Sequence, residues 1–407
     1  MAHQVNIQPS GAEQHHKPEL DGIRGIAILA VLGSHVITVM QVLPWTASMR
    51  VLNHILIPGW AGVDLFFVLS GFLITGILLR TKTAPSYYFR SFYWRRILRI
   101  FPIYYSSLIV LLMIGHFSRF FHSALPSSLI YRVSYFLFMQ NWPAFWGGRF
   151  LDNNLLGSYW SLAVEEQFYL LWPILILKIS ERKMMRLCIT GLILAPILRI
   201  LLVKYVYGTN FALMELTTSR MDGLLAGSFC ALYTHSQRKL LPLRWISSAM
   251  AVGATTLTFI VVKTSGSELI GTGKYMHTIG VTGFALLSSS LVALSQYRFR
   301  WLQQPLCAGW LRAMGKYSYG IYIYHAFIFF GMRQLLTRIP HRPDPLPFFP
   351  ALIWAISGVL LAIGVAKVSF DLFESRFLAL KKYFQPLAPG KDLTQSTTPR
   401  SGEEAVA

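Results

Sequence analysis

Apolar residues are grouped along the chain into long runs that alternate with short polar segments. A helix needs about 20 predominantly apolar residues to cross a bilayer. Ten runs are suited to this, near residues 22–42, 60–80, 100–117, 158–178, 187–205, 211–233, 244–263, 275–295, 316–333 and 350–373. The pattern therefore predicts an all-α fold, a polytopic membrane bundle of about ten transmembrane helices.

One further apolar run covers residues 128–141. It is too short to cross a bilayer as a helix. Counting it as a span would also disturb the alternation of basic loops described next. We expect it to be a re-entrant or interfacial segment.

Lys and Arg residues are concentrated in the loops that follow every second span. The loops after spans two, four, six and eight and the tail up to Lys391, counted with the adjoining ends of the spans, hold 21 of them, and the opposite loops counted in the same way hold 10. The positive-inside rule then places both termini in the cytoplasm of a multi-pass inner (plasma) membrane protein. The net charge of +20 lies in these short loops, so it does not indicate nucleic-acid binding.

The composition agrees with a membrane protein, since only 13% of the residues are charged and 54% are hydrophobic. Soluble domains carry about 25% charged residues. We expect a polar cytoplasmic segment at 1–19 without signal-peptide features, a membrane domain at 20–380, and a disordered cytoplasmic tail at 381–407.

Ionisable residues interrupt the predicted spans. Each costs a few kcal/mol to insert, so each marks a candidate functional site. Their number and mixed sign require a polar cavity inside the bundle. They are Arg24, His35, Asp64, Glu165, Glu166, Arg199, Glu215, Arg220, Asp222, His325, Lys367 and Asp371.

The first span carries Arg24 and His35. Eleven residues of helix turn them to within about 20° of one another and separate them by about 16 Å along the axis. They share one face at two depths, which would suit a path leading inward from the membrane surface.

Arg96 and Arg99 lie three residues apart before and at the start of span three, so they share a helical face, whereas Arg95 points elsewhere. Guanidinium groups bind phosphate bidentately, which suits a phosphorylated cytosolic ligand. The alternative is that they are positive-inside anchors for lipid headgroups. Spacing alone leaves both interpretations open.

Glu165 and Glu166 lie inside the outer end of span four. Adjacent helical residues point about 100° apart, so we expect only one to face His35. A carboxylate beside an imidazole fixes its tautomer, which is the arrangement of a general base for a hydroxyl. The alternative is a pair that neutralises nearby arginines.

Later polar positions have less specific patterns. Arg220 and Asp222 point to different faces of span six and should have separate partners, with Glu165 or a substrate phosphate as the candidates for Arg220. Asp64 opens span two at its outer end. His325 lies midway through span nine, where a lone histidine is more often a structural hydrogen-bonding group than a catalyst. No metal-ligand spacing or nucleotide-binding glycine motif is present.

These stretches, in this order, resemble acyltransferase family 3, the integral membrane acyltransferases, over nearly all of residues 20–377. The matching pieces are LDGIRGIAILAVLGSHV, GVDLFFVLSGFLI, RRILRIFPIYY, YWSLAVEEQFYLLWP, SRMDGLLAG, YSYGIYIYH and a late FE.

The resemblance implies an enzyme that moves an acyl group, usually acetyl, from cytosolic acyl-CoA to a hydroxyl without a metal. Typical acceptors are sugars of surface polysaccharides, lipopolysaccharide O-antigen, nodulation factors, peptidoglycan or macrolides. By carry-over, His35 is the essential histidine with Arg24 as its partner, and Arg96 and Arg99 hold CoA. The remaining motif residues are Glu165, Arg220 and Asp222. Any second, periplasmic transferase would be a separate protein.

Three other functions stay open from the sequence. The acceptor could be a small molecule such as a macrolide. Intramembrane charges also suit a transporter, although no internal repeat is visible. A non-catalytic partner of a polysaccharide assembly complex would not depend on His35.

Overall fold

The computed structural model describes residues 17–38, 56–82, 85–118, 128–142, 155–205, 215–264, 275–341, 343 and 346–384. Over these ranges the chain forms helices and turns and contains no strand, which confirms the all-helical prediction. The predicted N-terminal segment and C-terminal tail lie almost entirely outside the described residues. The α-helices are α1 Pro18–Thr38, α2 Gly62–Thr81, α3 Pro85–Phe117, α4 Leu129–Phe136, α5 Trp160–Lys178, α6 Glu181–Tyr205, α7 Thr217–Gln237, α8 Leu243–Thr264, α9 Val281–Ser295, α10 Arg300–Leu306, α11 Gly309–Thr337, α12 Phe348–Ser369 and α13 Ser375–Ala379.

Seven helical segments in the described residues are long and apolar enough to cross a membrane. The other three predicted spans are also helices, α5, α7 and α11, and they carry much of the intramembrane charge, such as Glu165 in α5 and Arg220 in α7. The seven are Pro18–Ile37, Pro58–Thr81, Tyr87–Phe117, Glu181–Tyr205, Leu243–Val261, Met276–Ser295 and Phe348–Phe384.

The short apolar run predicted not to span forms α4, which has eight residues. Such a helix is about 12 Å long, so it cannot cross a bilayer. Its end is held against α3, because the Tyr104 hydroxyl donates to the Tyr135 carbonyl at 2.8 Å and the Tyr105 hydroxyl donates to the Phe136 carbonyl at 2.9 Å. These bonds satisfy carbonyls that the end of a helix leaves open.

Glycines allow α1 and α11 to pack with their backbones in contact. A Cβ atom on Gly315 would lie 1.9 Å from the Asp21 carbonyl oxygen, and one on Gly25 would lie 2.2 Å from that of Leu311. Small residues permit this close approach between membrane helices. At the other end of the same contact His35 meets His325, so the two helices run parallel.

The helices α2 and α7 are packed in the same way. A Cβ on Gly71 would lie 2.0 Å from the Leu224 carbonyl oxygen, and one on Gly227 would lie 1.9 Å from that of Val68. This contact, also parallel, brings Asp64 of α2 to Arg220 of α7. In the predicted topology the members of each glycine-packed pair also run in the same direction.

Candidate functional site

A cavity opens between α1, α2, α3, α5 and α11 and encloses about 820 Å³, its open mouth included. Its walls are apolar over much of their area, with side chains such as Phe66, Leu73 and Ile100. Charged and hydroxyl groups project from every one of the five helices. They are Arg24, Ser70, Arg96, Arg99, Ser161, Glu165, Glu166, Tyr169, Ser318, Tyr319 and Tyr322.

The arginines predicted to bind an anion line this one cavity. Arg96 and Arg99 project into it from the same face of α3, as their spacing predicts, and Arg95 does not line it. Arg24 joins them from α1, with its Nη1 atom 2.8 Å from the Asp21 carboxylate. The Arg96 guanidinium lies 5.5 Å from the centre of the Tyr169 ring, a cation–π distance.

Arg96 and Arg99 differ from Arg24, Arg199 and Arg220, each of which is paired with a carboxylate. Among the ion pairs between described residues, none includes either side chain. Two nearby guanidinium groups without an ion-pair partner, inside a cavity, have the chemistry to bind an anionic ligand with more than one oxygen.

Both Glu165 and Glu166 line the same cavity. The sequence predicted that only one of them would face His35. Glu165 accepts a hydrogen bond from Ser70 Oγ at 2.6 Å and another from the Tyr169 hydroxyl at 3.1 Å. These two donors hold the carboxylate in place opposite the arginines. Glu166 keeps one buried carboxylate oxygen without a hydrogen-bond partner.

The expected contact between Glu165 and His35 is replaced by a different one. His35 Nδ1 lies 3.2 Å from Nε2 of His325, and the centres of the two rings are 4.7 Å apart. The sequence favoured a structural role for His325 and gave no reason to pair it with His35. Only the parallel packing of α1 and α11 brings the two histidines to one depth.

The histidine pair lies next to the inner end of the cavity. Tyr322 lines the cavity, and its ring packs 5.6 Å from that of His325. These residues are three apart on α11, so they share a face and differ by about 4.5 Å along the axis. Arg24, about 16 Å along α1 from His35, lines the same cavity. The cavity thus extends from the arginines toward the histidines.

Arg220 and Asp222 have separate partners, as their spacing predicts. The Arg220 guanidinium lies 3.0 Å from Asp64 and is stacked between the rings of Trp60 and Trp160, at 5.6 and 5.1 Å. The sequence had suggested Glu165 or a substrate phosphate as its partner. Asp64 is fully buried, so this pair is part of the interior.

Asp222 pairs with Arg199, and neither side chain has any exposed surface. The two groups are 2.9 Å apart, and Thr282 donates to the same carboxylate oxygen at 2.8 Å. The other Arg199 nitrogens donate to the carbonyls of Thr278 and Ser219. A buried pair with its remaining hydrogen bonds satisfied is a structural feature, and it does not face the cavity.

Some residues of the site were not singled out from the sequence. Ser70 lies within the quoted second-span motif, and Tyr169 lies four residues after Glu165, which is one helical turn. That spacing was the available signal for Tyr169, whereas the contact of Ser70 with Glu165 depends on how α2 meets α5. The described residues contain no group of three or more His, Cys, Asp or Glu side chains that could hold a metal ion.

Fold and site define an all-helical, multi-pass membrane protein with a cationic internal cavity. The model of the acyltransferase 3 family, described as an acyltransferase domain, matches residues 17–366. The chain therefore belongs to this family, which confirms the resemblance drawn from its motifs. No solved structure matches the chain significantly.

Several curated bacterial proteins are similar to the chain. The peptidoglycan O-acetyltransferase OatA of Listeria monocytogenes is 30% identical over 377 residues, covering 88% of this chain and 55% of that protein. The protein YrhL of Bacillus subtilis, provisionally named a peptidoglycan O-acetyltransferase, is 28% identical, covering 89% of this chain and 55% of that protein. The chain thus spans about half the length of the relatives it matches.

Proposed function

We propose that this protein is a membrane O-acyltransferase. It moves an acyl group, acetyl by the names of its relatives, from cytosolic acyl-CoA to a hydroxyl of a cell-surface polysaccharide sugar. Peptidoglycan is the acceptor that those names favour. One observation carries the proposal: arginines without carboxylate partners share an apolar-walled cavity with Glu165, next to the His35–His325 pair.

The cavity suits acyl-CoA as the donor substrate. Arg96 and Arg99, with Arg24 beside them, would bind its phosphates, because guanidinium groups form bidentate bonds to phosphate. The apolar walls suit the uncharged pantetheine arm. The arm then extends along α1 and α11 and delivers the thioester toward His35.

His35 would act on the acceptor hydroxyl at the end of that path. As a general base it takes the hydroxyl proton while the oxygen attacks the thioester carbonyl. An ester bond forms, the carbon–sulfur bond breaks, and the departing thiolate recovers the proton from His35. As a nucleophile, His35 would instead carry the acyl group between donor and acceptor. Glu165 supports the reaction from the cavity wall, held by Ser70 and Tyr169.

The topology completes the proposal. Ten spans with both termini in the cytoplasm of the inner membrane place the arginines at the cytoplasmic face and let the acceptor enter from outside. In a protein whose own three cysteines are replaced, single cysteines introduced at Arg95 and at the exposed Thr337 should react with a membrane-impermeant reagent from opposite sides. Labelling of both from one side would contradict this topology.

The test of the function is acyl transfer by the purified protein. Wild type, His35→Ala and His116→Ala are compared in detergent with labelled acetyl-CoA and glycan extracts, because His116 is exposed and serves as the matched control. We expect CoA release and labelled glycan from wild type and His116→Ala, and at least about a 100-fold loss for His35→Ala.

The outcome also separates this proposal from other functions. Release that depends on an added macrolide and on no glycan would assign a small-molecule acceptor. Absence of release from folded wild type with every short acyl-CoA would contradict the enzyme and favour a transporter or an assembly partner.

A further inference from the structure

The two histidines of the pair make matching bonds to their own helices. His35 Nδ1 lies 3.0 Å from the carbonyl oxygen of Val31, and His325 Nδ1 lies 3.1 Å from that of Ile321. A carbonyl oxygen can only accept a hydrogen bond. In each ring the proton must therefore be on Nδ1.

These proton positions determine which ring donates and which accepts in the contact between His35 and His325. With its proton on Nδ1, neutral His325 has a bare Nε2, which can only accept. The donor across the 3.2 Å contact is the N–H at Nδ1 of His35, which is shared between His325 and the Val31 carbonyl. With both rings neutral, this is the one arrangement that satisfies all three contacts. It leaves the lone pair of His35 on Nε2.

The surroundings of the two rings differ. His325 has no exposed surface and packs against the rings of Tyr322 and Phe329, at 5.6 and 5.9 Å. His35 is only partly buried. His325 can therefore influence chemistry in the cavity through His35 and not by contact with a substrate.

We infer that His325 is a positioning residue that, together with the Val31 carbonyl, holds His35 in the tautomer with a free Nε2, so that Nε2 is the reacting nitrogen. The inference rests on the proposed function, in which His35 acts in acyl transfer. Both versions of that chemistry need this lone pair, either to take the hydroxyl proton or to attack the thioester carbonyl. Once Nε2 is protonated, the bond from Nδ1 to His325 becomes charge-assisted and stabilises the imidazolium.

Two substitutions separate this role from simple packing. His325→Phe keeps a ring of similar size and removes the acceptor, whereas the Gln side chain in His325→Gln can present an oxygen near the former Nε2. We expect His325→Phe to lower kcat by at least about tenfold with an unchanged KM for acetyl-CoA, and His325→Gln to recover part of that loss. His116→Gln is the control for an exposed histidine. Equal kcat for His325→Phe and wild type would overturn the inference.

Nitrogen-15 NMR of histidine-labelled protein reports the tautomer of His35 directly, and it does not require acyl transfer to take place. The His35 signals are assigned by their loss in His35→Gln. We expect wild type to show the proton of His35 on Nδ1, and His325→Phe to show a shift toward the other tautomer. A proton on Nε2 of His35 in wild type would refute the inference even if transfer is active. If transfer fails but the Nδ1 proton is found, the proposed function fails and the tautomer assignment stands.

Discussion

Four arginines inside this bundle occur in two kinds of environment. Arg199 and Arg220 each lie within 3.0 Å of a carboxylate and have almost no exposed surface. Arg96 and Arg99 are partly exposed in the cavity and have no carboxylate partner among the described residues. The first kind has a counter-ion within the protein, and the second can pair with a ligand.

The difference shows that a charge within the membrane is by itself a weak indicator of function. Taking an ion out of water costs several kcal/mol, and a well-placed counter-ion with further hydrogen bonds recovers this cost. Arg199 has such an environment in full. Where no carboxylate lies within ion-pair distance among the described residues, as at Arg96, an anionic ligand can act as the counter-ion.

The largest effect should follow from breaking the internal pair. Arg199→Met leaves Asp222 buried without its ion-pair partner, which costs about 3–5 kcal/mol. We expect most of the protein to be lost from the folded, monodisperse fraction in detergent, as measured by size-exclusion chromatography and thermal unfolding.

Matched variants sharpen this result. The double variant Arg199→Met, Asp222→Leu removes both charges, and it should recover a substantial part of the melting temperature because an apolar pair often replaces a buried ion pair well. Arg96→Met should change the melting temperature little. A single Arg199→Met protein as stable as wild type would remove the distinction between the two kinds of arginine.

An intermediate effect is expected at the cavity. Replacing both Arg96 and Arg99 with Ala would remove the proposed charge-assisted hydrogen bonds to the phosphates of acyl-CoA, worth about 1.5–3 kcal/mol each. We expect the KM for acetyl-CoA to rise by at least about tenfold, while the protein inserts and unfolds as wild type does. Steady-state kinetics at several donor concentrations measure this.

Arg95→Ala is the matched control, since Arg95 is on the same helix and does not line the cavity. Its KM should be that of wild type. A double variant with an unchanged KM would return Arg96 and Arg99 to the role of anchors for lipid headgroups.

The smallest effect is expected at Glu165, the carboxylate that lines the same cavity as Arg96 and Arg99. Glu165→Gln keeps an acceptor for Ser70 and removes the negative charge beside the arginines. We expect kcat to fall about tenfold if Glu165 assists proton movement, and KM for the anionic donor not to rise, since repulsion is lost. Unchanged kcat would make Glu165 a structural part of the cavity wall.

Much of the fold could be predicted from the sequence. Long apolar runs mark the helices because the interior of a bilayer offers no water, and a helix makes the hydrogen bonds of its backbone groups within its own segment. Helical spacing correctly placed Arg96 and Arg99 together and separated Arg220 from Asp222. These are properties of one helix at a time.

Contacts between helices could not be predicted in the same way. The partner of His35 depends on the register between α1 and α11, which is set by backbone contacts at Gly25 and Gly315 and not by hydrophobic pattern. Glu165 was therefore expected in the place that His325 occupies. Ser70 could not be predicted for the same reason, because its contact with Glu165 depends on how α2 packs against α5.

The glycine contacts between α1 and α11 have a consequence for genetics. A methyl group at Gly315 or Gly25 would lie 1.9 or 2.2 Å from a backbone oxygen of the other helix, so the helices would have to slide or separate. The histidines, two or more turns away, would lose their alignment with no chemical group removed. A random screen for variants that have lost acylation should therefore recover substitutions at these glycines as well as at the histidines. If inactivity were the only criterion, the glycines would be misidentified as catalytic residues.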